Sequence, residues 1–147
     1  MRAGLLLFFT AVLIFFTGCS NECEIRDRAF VQSIGMEHTD GRYKVSLRIF
    51  GDDNCYIGSG ETFNKAVADA EQSQGKKFYT GHTELIVISE EESEFLLENL
   101  VNEDISLDCL VLYDISPAAF VKENDTESLT DIISDSEKNI CDILNQN

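Results

Sequence analysis

Four consecutive apolar residues, Leu85-Ile86-Val87-Ile88, stand between Glu84 and Ser89-Glu90. A strand with one wet face alternates apolar and polar residues. An unbroken run needs cover on both faces, as a central strand of a sheet has. The rest of the chain must supply that cover.

Helical signals flank the run. Thr62 has the character of an N-cap, a hydroxyl able to accept from an orphan amide of the first turn. Phe63, Ala66, Val67 and Ala70 follow at helical spacing as the packing stripe, and Gly75 ends that helix. Downstream, Ser89-Glu90-Glu91-Glu92 opens a second helix with acids at its positive end, and Phe95, Leu96, Leu97 and Leu100 form its apolar face. Ser106 to Asp114 reads as a strand. Ser116-Pro117 starts a short helix whose contacts are Ala118, Ala119, Phe120 and Val121. Lys122 to Glu127 is a polar linker, and an amphipathic helix is expected over Ser128 to Leu144.

Upstream, Ala29 to Glu37 is an apolar-rich strand and Asp40-Gly41 a hairpin turn. Tyr43, Val45, Leu47 and Ile49 then alternate with Lys44, Ser46 and Arg48, which predicts one buried face. Gly51 to Asn54 is a turn, and Cys55 to Gly60 a third short strand. Strands joined through a helix should run parallel by right-handed crossovers, with the hairpin adding antiparallel edges. The expected fold is α/β (α+β-like): a mixed sheet of about five strands with an N-terminal hairpin and helices packed against it.

The first residues obey another logic. Ala3 to Phe16 is apolar apart from Thr10 and follows a single basic residue, Arg2. As a helix this segment spans roughly 21 Å, short of a ~30 Å hydrocarbon core. It fits the apolar region of a secretory signal, ending at small residues. Phe16-Thr17-Gly18-Cys19 resembles a bacterial lipobox, in which the cysteine is lipidated and becomes the first residue. The expected organisation is a signal peptide over 1–18, a lipidated tether over 19–24, a domain over 25–125 and a C-terminal helix over 126–147.

The formal net charge of −16 over 147 residues argues against nucleic acid as a partner, since phosphate contacts need Lys and Arg. It also sets the domain against anionic headgroups, so the lipid must do the tethering. Of the five cysteines, four remain if Cys19 carries lipid: Cys23, Cys55, Cys109 and Cys141. Outside the cytoplasm they can form two disulfides by any of three pairings, or stay as buried thiols. Without a C-x-x-C pair, no zinc site is expected.

Residues able to carry chemistry are few. His38, just before the Asp40-Gly41 turn, is expected to face solvent. His82 and Glu84 share one face if extended, so a metal pair or a general base with its orienting acid is geometrically open. Two ligands do not make a metal site, and the plainer role is to fix the strand entry. Gly58-x-Gly60 lacks the third glycine of a dinucleotide turn, for Phe63 stands there. Asp52-Asp53-Asn54 supplies too few oxygens for calcium. No catalytic residue, cofactor or metal is expected.

Several stretches in order are similar to the N-terminal domain of the Ger(x)C lipoproteins, the C subunits of spore nutrient germinant receptors. They are the lipobox cysteine, Glu24-Ile25-Arg26-Asp27-Arg28-Ala29-Phe30-Val31, Ile34-Gly35, Asp40-Gly41-Arg42-Tyr43-Lys44-Val45 and Gly58-Ser59-Gly60-Glu61-Thr62. The most specific stretch is Gly75-Lys76-Lys77-Phe78-Tyr79-Thr80-Gly81-His82-Thr83-Glu84-Leu85-Ile86-Val87-Ile88-Ser89. The resemblance covers roughly residues 19 to 125. It implies a non-enzymatic accessory or scaffold subunit, lipid-anchored through Cys19 on the outer face of the cytoplasmic (inner spore) membrane. The implied partners are the A- and B-type membrane subunits of the receptor. Gly81, His82 and Glu84 form a candidate interaction loop. The alternative is an extracytoplasmic lipoprotein binding a small ligand or ion through the Gly81-His82 loop, with a hydrolase using His82 and Glu84 as a third reading.

Overall fold

Asp40 and Gly41 both take positive φ, 54° and 72°, the pair of left-handed residues that a type I′ turn requires. They join β1 (Arg28–Thr39) to β2 (Arg42–Ile49) in antiparallel register. The structure, a computed structural model, describes residues 27–100, 103–135, 139, 140 and 143. After the hairpin come β3 (Asp52–Gly60), α1 (Phe63–Gln74), β4 (Lys77–Tyr79) and β5 (Leu85–Ile88). A 3-10 turn (Glu90–Glu92) leads into α2 (Ser93–Leu100), followed by β6 (Leu110–Tyr113), α3 (Pro117–Glu123) and α4 (Thr126–Asp135). The signal segment, the tether with Cys19, and Cys23 and Cys141 lie outside the described residues. Among the described residues no helix is long and apolar enough to cross a membrane.

The fold is α/β, with a mixed six-stranded sheet in the order β3-β2-β1-β5-β6 and β4 also paired with β1. β5 is parallel to both neighbours, and its four residues are fully buried. Ile86 and Ile88 join a core with Phe63, Ala66 and Ala70 of α1 and Leu96, Leu97 and Leu100 of α2. Leu85 and Val87 face the other way, against Val121 of α3 and Leu129 of α4. The apolar run is thus covered on both sides.

The opening strand is not an edge, as expected, but interior. β1 is long enough to pair with β4 along Arg28–Phe30 and with β5 along Ser33–Met36. Ala29 and Val31 are odd-numbered and Ile34 and Met36 even-numbered, yet all four sit in one core. A register shift between Val31 and Ser33 inserts the extra residue that keeps them on one face. Gln32, at that bulge, is buried, and its Nε2 donates to Thr130 Oγ1 at 3.0 Å.

β2 also departs from the one-face expectation. Ser46 and Arg48 are buried, Arg48 being only 5% exposed, because α3 packs over them. The Arg48 guanidinium donates to the carbonyls of Val121 (3.2 Å), Lys122 (2.9 Å) and Asp53. It thereby ties the C-terminal turn of α3 to β2 and to the start of β3, satisfying orphan carbonyls at the negative helix end. β3 begins at Asp52, inside the expected turn. The Asp52 carboxylate is occupied locally, accepting from the Asn54 backbone N–H (2.9 Å) and the Tyr56 hydroxyl (2.7 Å). These bonds hold it below the usual carboxylate range.

Thr62 Oγ1 accepts from the Lys65 N–H at 3.2 Å and Gly75 closes α1. The helix lies so close to β3 that a Cβ on Gly58 would fall 2.1 Å from the Ala66 carbonyl oxygen. The Gly58-x-Gly60 pair therefore permits helix–strand approach. In α2, Leu96, Leu97 and Leu100 are buried, whereas Phe95 is exposed. The His38 ring packs 4.8 Å from those of both Tyr43 and Phe95. Its backbone N–H donates to Glu92 Oε2 at 3.2 Å, so His38 is half-buried rather than solvent-facing. α4 starts at Thr126, earlier than expected, because Asp125 Oδ1 accepts from the Ser128 N–H at 2.8 Å. Most of the expected helix beyond Asp135 lies outside the described residues. Asn139 pairs with Leu110, and the Ile140 N–H donates to the Cys109 carbonyl at 3.0 Å.

Candidate functional site

Between β4 and β5 the chain must loop out, because Tyr79 pairs with Phe30 and Leu85 with Ser33, so that six steps of chain stand against three of β1. Residues Thr80 to Glu84 make that loop. The Thr83 N–H donates to the Thr80 carbonyl (3.0 Å), the Glu84 N–H to the Gln32 carbonyl (2.9 Å) and the Leu110 N–H to the Glu84 carbonyl (2.9 Å). Thr80 Oγ1 donates to the Asp104 carbonyl at 3.1 Å. The loop is thus pinned to the β1 bulge on one side and to the start of β6 on the other.

An open cleft of about 700 Å³ lies beside it, lined in part by Gly81, His82, Thr83 and Glu84. Those loop residues include all three that the sequence singled out, Gly81, His82 and Glu84. Phe30, Phe50, Ser106, Asp108, Cys109, Leu110 and Ile133 complete the wall. Phe30 and Tyr79 meet edge to face at 5.6 Å, and the His82 ring lies 6.0 Å from Phe30 and 5.4 Å from Tyr79. Arg28 covers the Tyr79 ring, its Cζ 5.8 Å from the centroid. His82 is therefore the exposed member of an aromatic group.

Among the described residues neither the His82 nor the Glu84 side chain has a hydrogen-bond or salt-bridge partner, so no acid orients the imidazole. No group of three or more His, Cys, Asp or Glu is placed to hold a metal ion among the described residues. Thr83 is 3% exposed and its Oγ1 lacks a hydrogen-bond partner among them. The Cys109 thiol is pushed up to about 12 by burial and then by the charge of Glu84, so it is inert as a nucleophile. Cys55 is raised by burial, opposed by the neighbouring Arg48. Neither forms a disulfide among the described residues. Phe50, Asp108 and Ile133 were missed in the sequence because they arrive from the turn after β2, from the loop before β6 and from α4. Only Phe50, an aromatic beside Gly51 at a turn, carried a local signal.

Spore germination protein KC of Bacillus subtilis (strain 168) is 28% identical over 123 aligned residues, taking in 68% of this chain and 30% of that protein. The chain thus corresponds to less than a third of its relative's length. No solved structure matches it. The family described as the spore germination protein N-terminal domain matches residues 21–103. That match spans more than half of the sequence, from seven residues before β1 to just past α2, and the chain belongs to this family.

Proposed function

We propose that the chain is a lipid-anchored accessory or scaffold subunit of a spore nutrient germinant receptor, acting in germination by docking to A- and B-type membrane subunits and not by catalysis. The family gives it a role in germination. One observation carries the finer reading. The family match begins at residue 21, two residues after the cysteine that ends a short apolar segment. A signal too short to span, a lipidated Cys19 and a germination domain then follow one another without a gap. Anchoring would be to the outer face of the cytoplasmic (inner spore) membrane. A short tether raises the effective concentration of a weak interface, so function should depend on the lipid more than on His82. The test compares Cys19→Ala with His82→Ala in spores of the native host, scoring nutrient germination at matched protein levels. A harmless Cys19→Ala beside an inactive, folded and membrane-bound His82→Ala would overturn the reading. A second reading, a small ligand or ion held at Gly81, His82 and Glu84, is favoured by the cleft beside that loop. Equilibrium dialysis against the nutrients that germinate the host's spores tests it.

A further inference from the structure

The cleft beside the β4–β5 loop has a composition that selects an occupant. Its floor is apolar, with Phe30, Leu110 and Ile133. Its rim carries two exposed carboxylates, Glu84 and Asp108, and no Lys or Arg is among its lining residues. Inside, the buried Thr83 Oγ1 stands without a partner among the described residues. At the edge Phe50 remains 41% exposed and nearby Leu107 46% exposed, large side chains whose burial would reward a contact.

We infer that this cleft receives a basic, apolar segment of a membrane protein, one in which Lys or Arg flanks bulky apolar side chains. The inference rests on the accessory-subunit reading and assigns its docking surface. Charge complementarity favours such a partner: the cations would meet Glu84 and Asp108, and the chain as a whole carries −16. The same carboxylates repel anionic headgroups, so a lipid surface is a poor occupant. The cleft is open on one side, and pockets for small molecules bury most of their ligand. Position also agrees. Phe30 is on the wall, two residues after the start of β1 at Arg28, and β1 is where the chain arrives from Cys19. The cleft therefore lies at the end of the sheet where β1 begins.

The experiment uses the full chain in membranes of the native host. A photoreactive benzoylphenylalanine replaces Phe50, or Ile115 as control, which is 98% exposed at the far end of β6. Adducts are mapped by mass spectrometry to the linked peptide. Expected is an adduct at position 50, absent at 115, on a membrane-protein peptide with Lys or Arg among apolar residues. Its yield should fall about tenfold or more in the double variant Glu84→Lys, Asp108→Lys, and less in Glu84→Gln, Asp108→Asn. Both carboxylates are exposed, so an unchanged cooperative melt checks that the variants fold. Adducts to lipid, to this chain's own residues or equally from position 115 would overturn the inference. So would no adduct, a yield indifferent to charge reversal, or a co-purifying small molecule that suppresses it. A germination defect in Cys19→Ala beside charge-indifferent adducts defeats the docking surface alone. Charge-sensitive adducts beside normal germination in the reversal variant defeat the receptor reading alone.

Discussion

Replacing Arg48 by Met should separate α3 from the sheet. The methionine fills much of the same volume but donates nothing to the carbonyls of Val121, Lys122 and Asp53. Hydrogen bonds from a charged donor contribute about 1.5–3 kcal/mol each. Against that stands the desolvation of a charged residue that is only 5% exposed, several kcal/mol that the substitution recovers. Water can reach the carbonyl of the exposed Asp53 more easily than that of the fully buried Val121, which reduces the loss further. The balance is a destabilisation of about 2–4 kcal/mol, or a drop in Tm of roughly 10 °C for a domain of this size. Thermal unfolding followed by circular dichroism measures it. Hydrogen exchange at the amides of Phe120 and Asn124, which close α3 on Ser116 and Phe120, should speed up more than exchange in β5. Arg48→Lys should recover less than half of the loss, because one ammonium cannot span three acceptors set in different directions. A Met variant melting within about 2 °C of the parent would refute the account.

Val87→Asp should prevent stable folding, since it buries an unpaired carboxylate between β1 and β6, at a cost of several kcal/mol; a cooperative melt near the parent's would count against the packing. Gly58→Ala should lose about 1–3 kcal/mol as α1 is forced away from β3, read as a lower urea midpoint. Cys109 should resist iodoacetamide at neutral pH in the folded chain. Because its folded value near 12 lies above the ordinary ~8.5, the proton is held more tightly in the fold. Its contribution is full below about pH 8.5 and is lost as pH climbs towards 12, so Cys109→Ala should flatten the alkaline fall in stability.

What the sequence disclosed about this fold was what neighbours in the chain decide. Leu85 to Ile88 could be read as doubly covered because four apolar residues in a row have no wet face to offer. Asp40-Gly41, Thr62 and Gly75 could be read because turns and caps are set by one or two side chains. Ser46 and Arg48 could not. Their alternation with Val45 and Leu47 speaks for an outward face, and it is overruled by α3, about seventy residues downstream, which needs a cation at its C-terminal carbonyls. The bulge in β1 shows in hindsight as the change from odd to even apolar positions between Val31 and Ile34. β4 is three residues long, too short for any period to show. The candidate site divides in the same way. Gly81, His82 and Glu84 form one local loop, whereas Phe30, Phe50, Asp108 and Ile133 reach the cleft from four separate elements or loops.

The non-local part of the site is also what gives it direction. A loop alone could recognise a small group from any side. Phe30 ties the wall to the beginning of β1, and Phe50 ties it to the turn before β3, whose N–H bonds the Phe30 carbonyl at 2.9 Å. Both belong to the end of the sheet where the chain enters. If Cys19 holds the lipid, the stretch to Arg28 reaches at most about 30 Å, at ~3.5 Å per residue. An acidic domain held within that distance of an anionic surface gains nothing from lying on the lipid. A basic protein segment beside it would meet the cleft without a free diffusional search. Shortening the tether should therefore preserve docking until the cleft can no longer turn towards its partner, whereas lengthening it should weaken docking gradually, as a dilution.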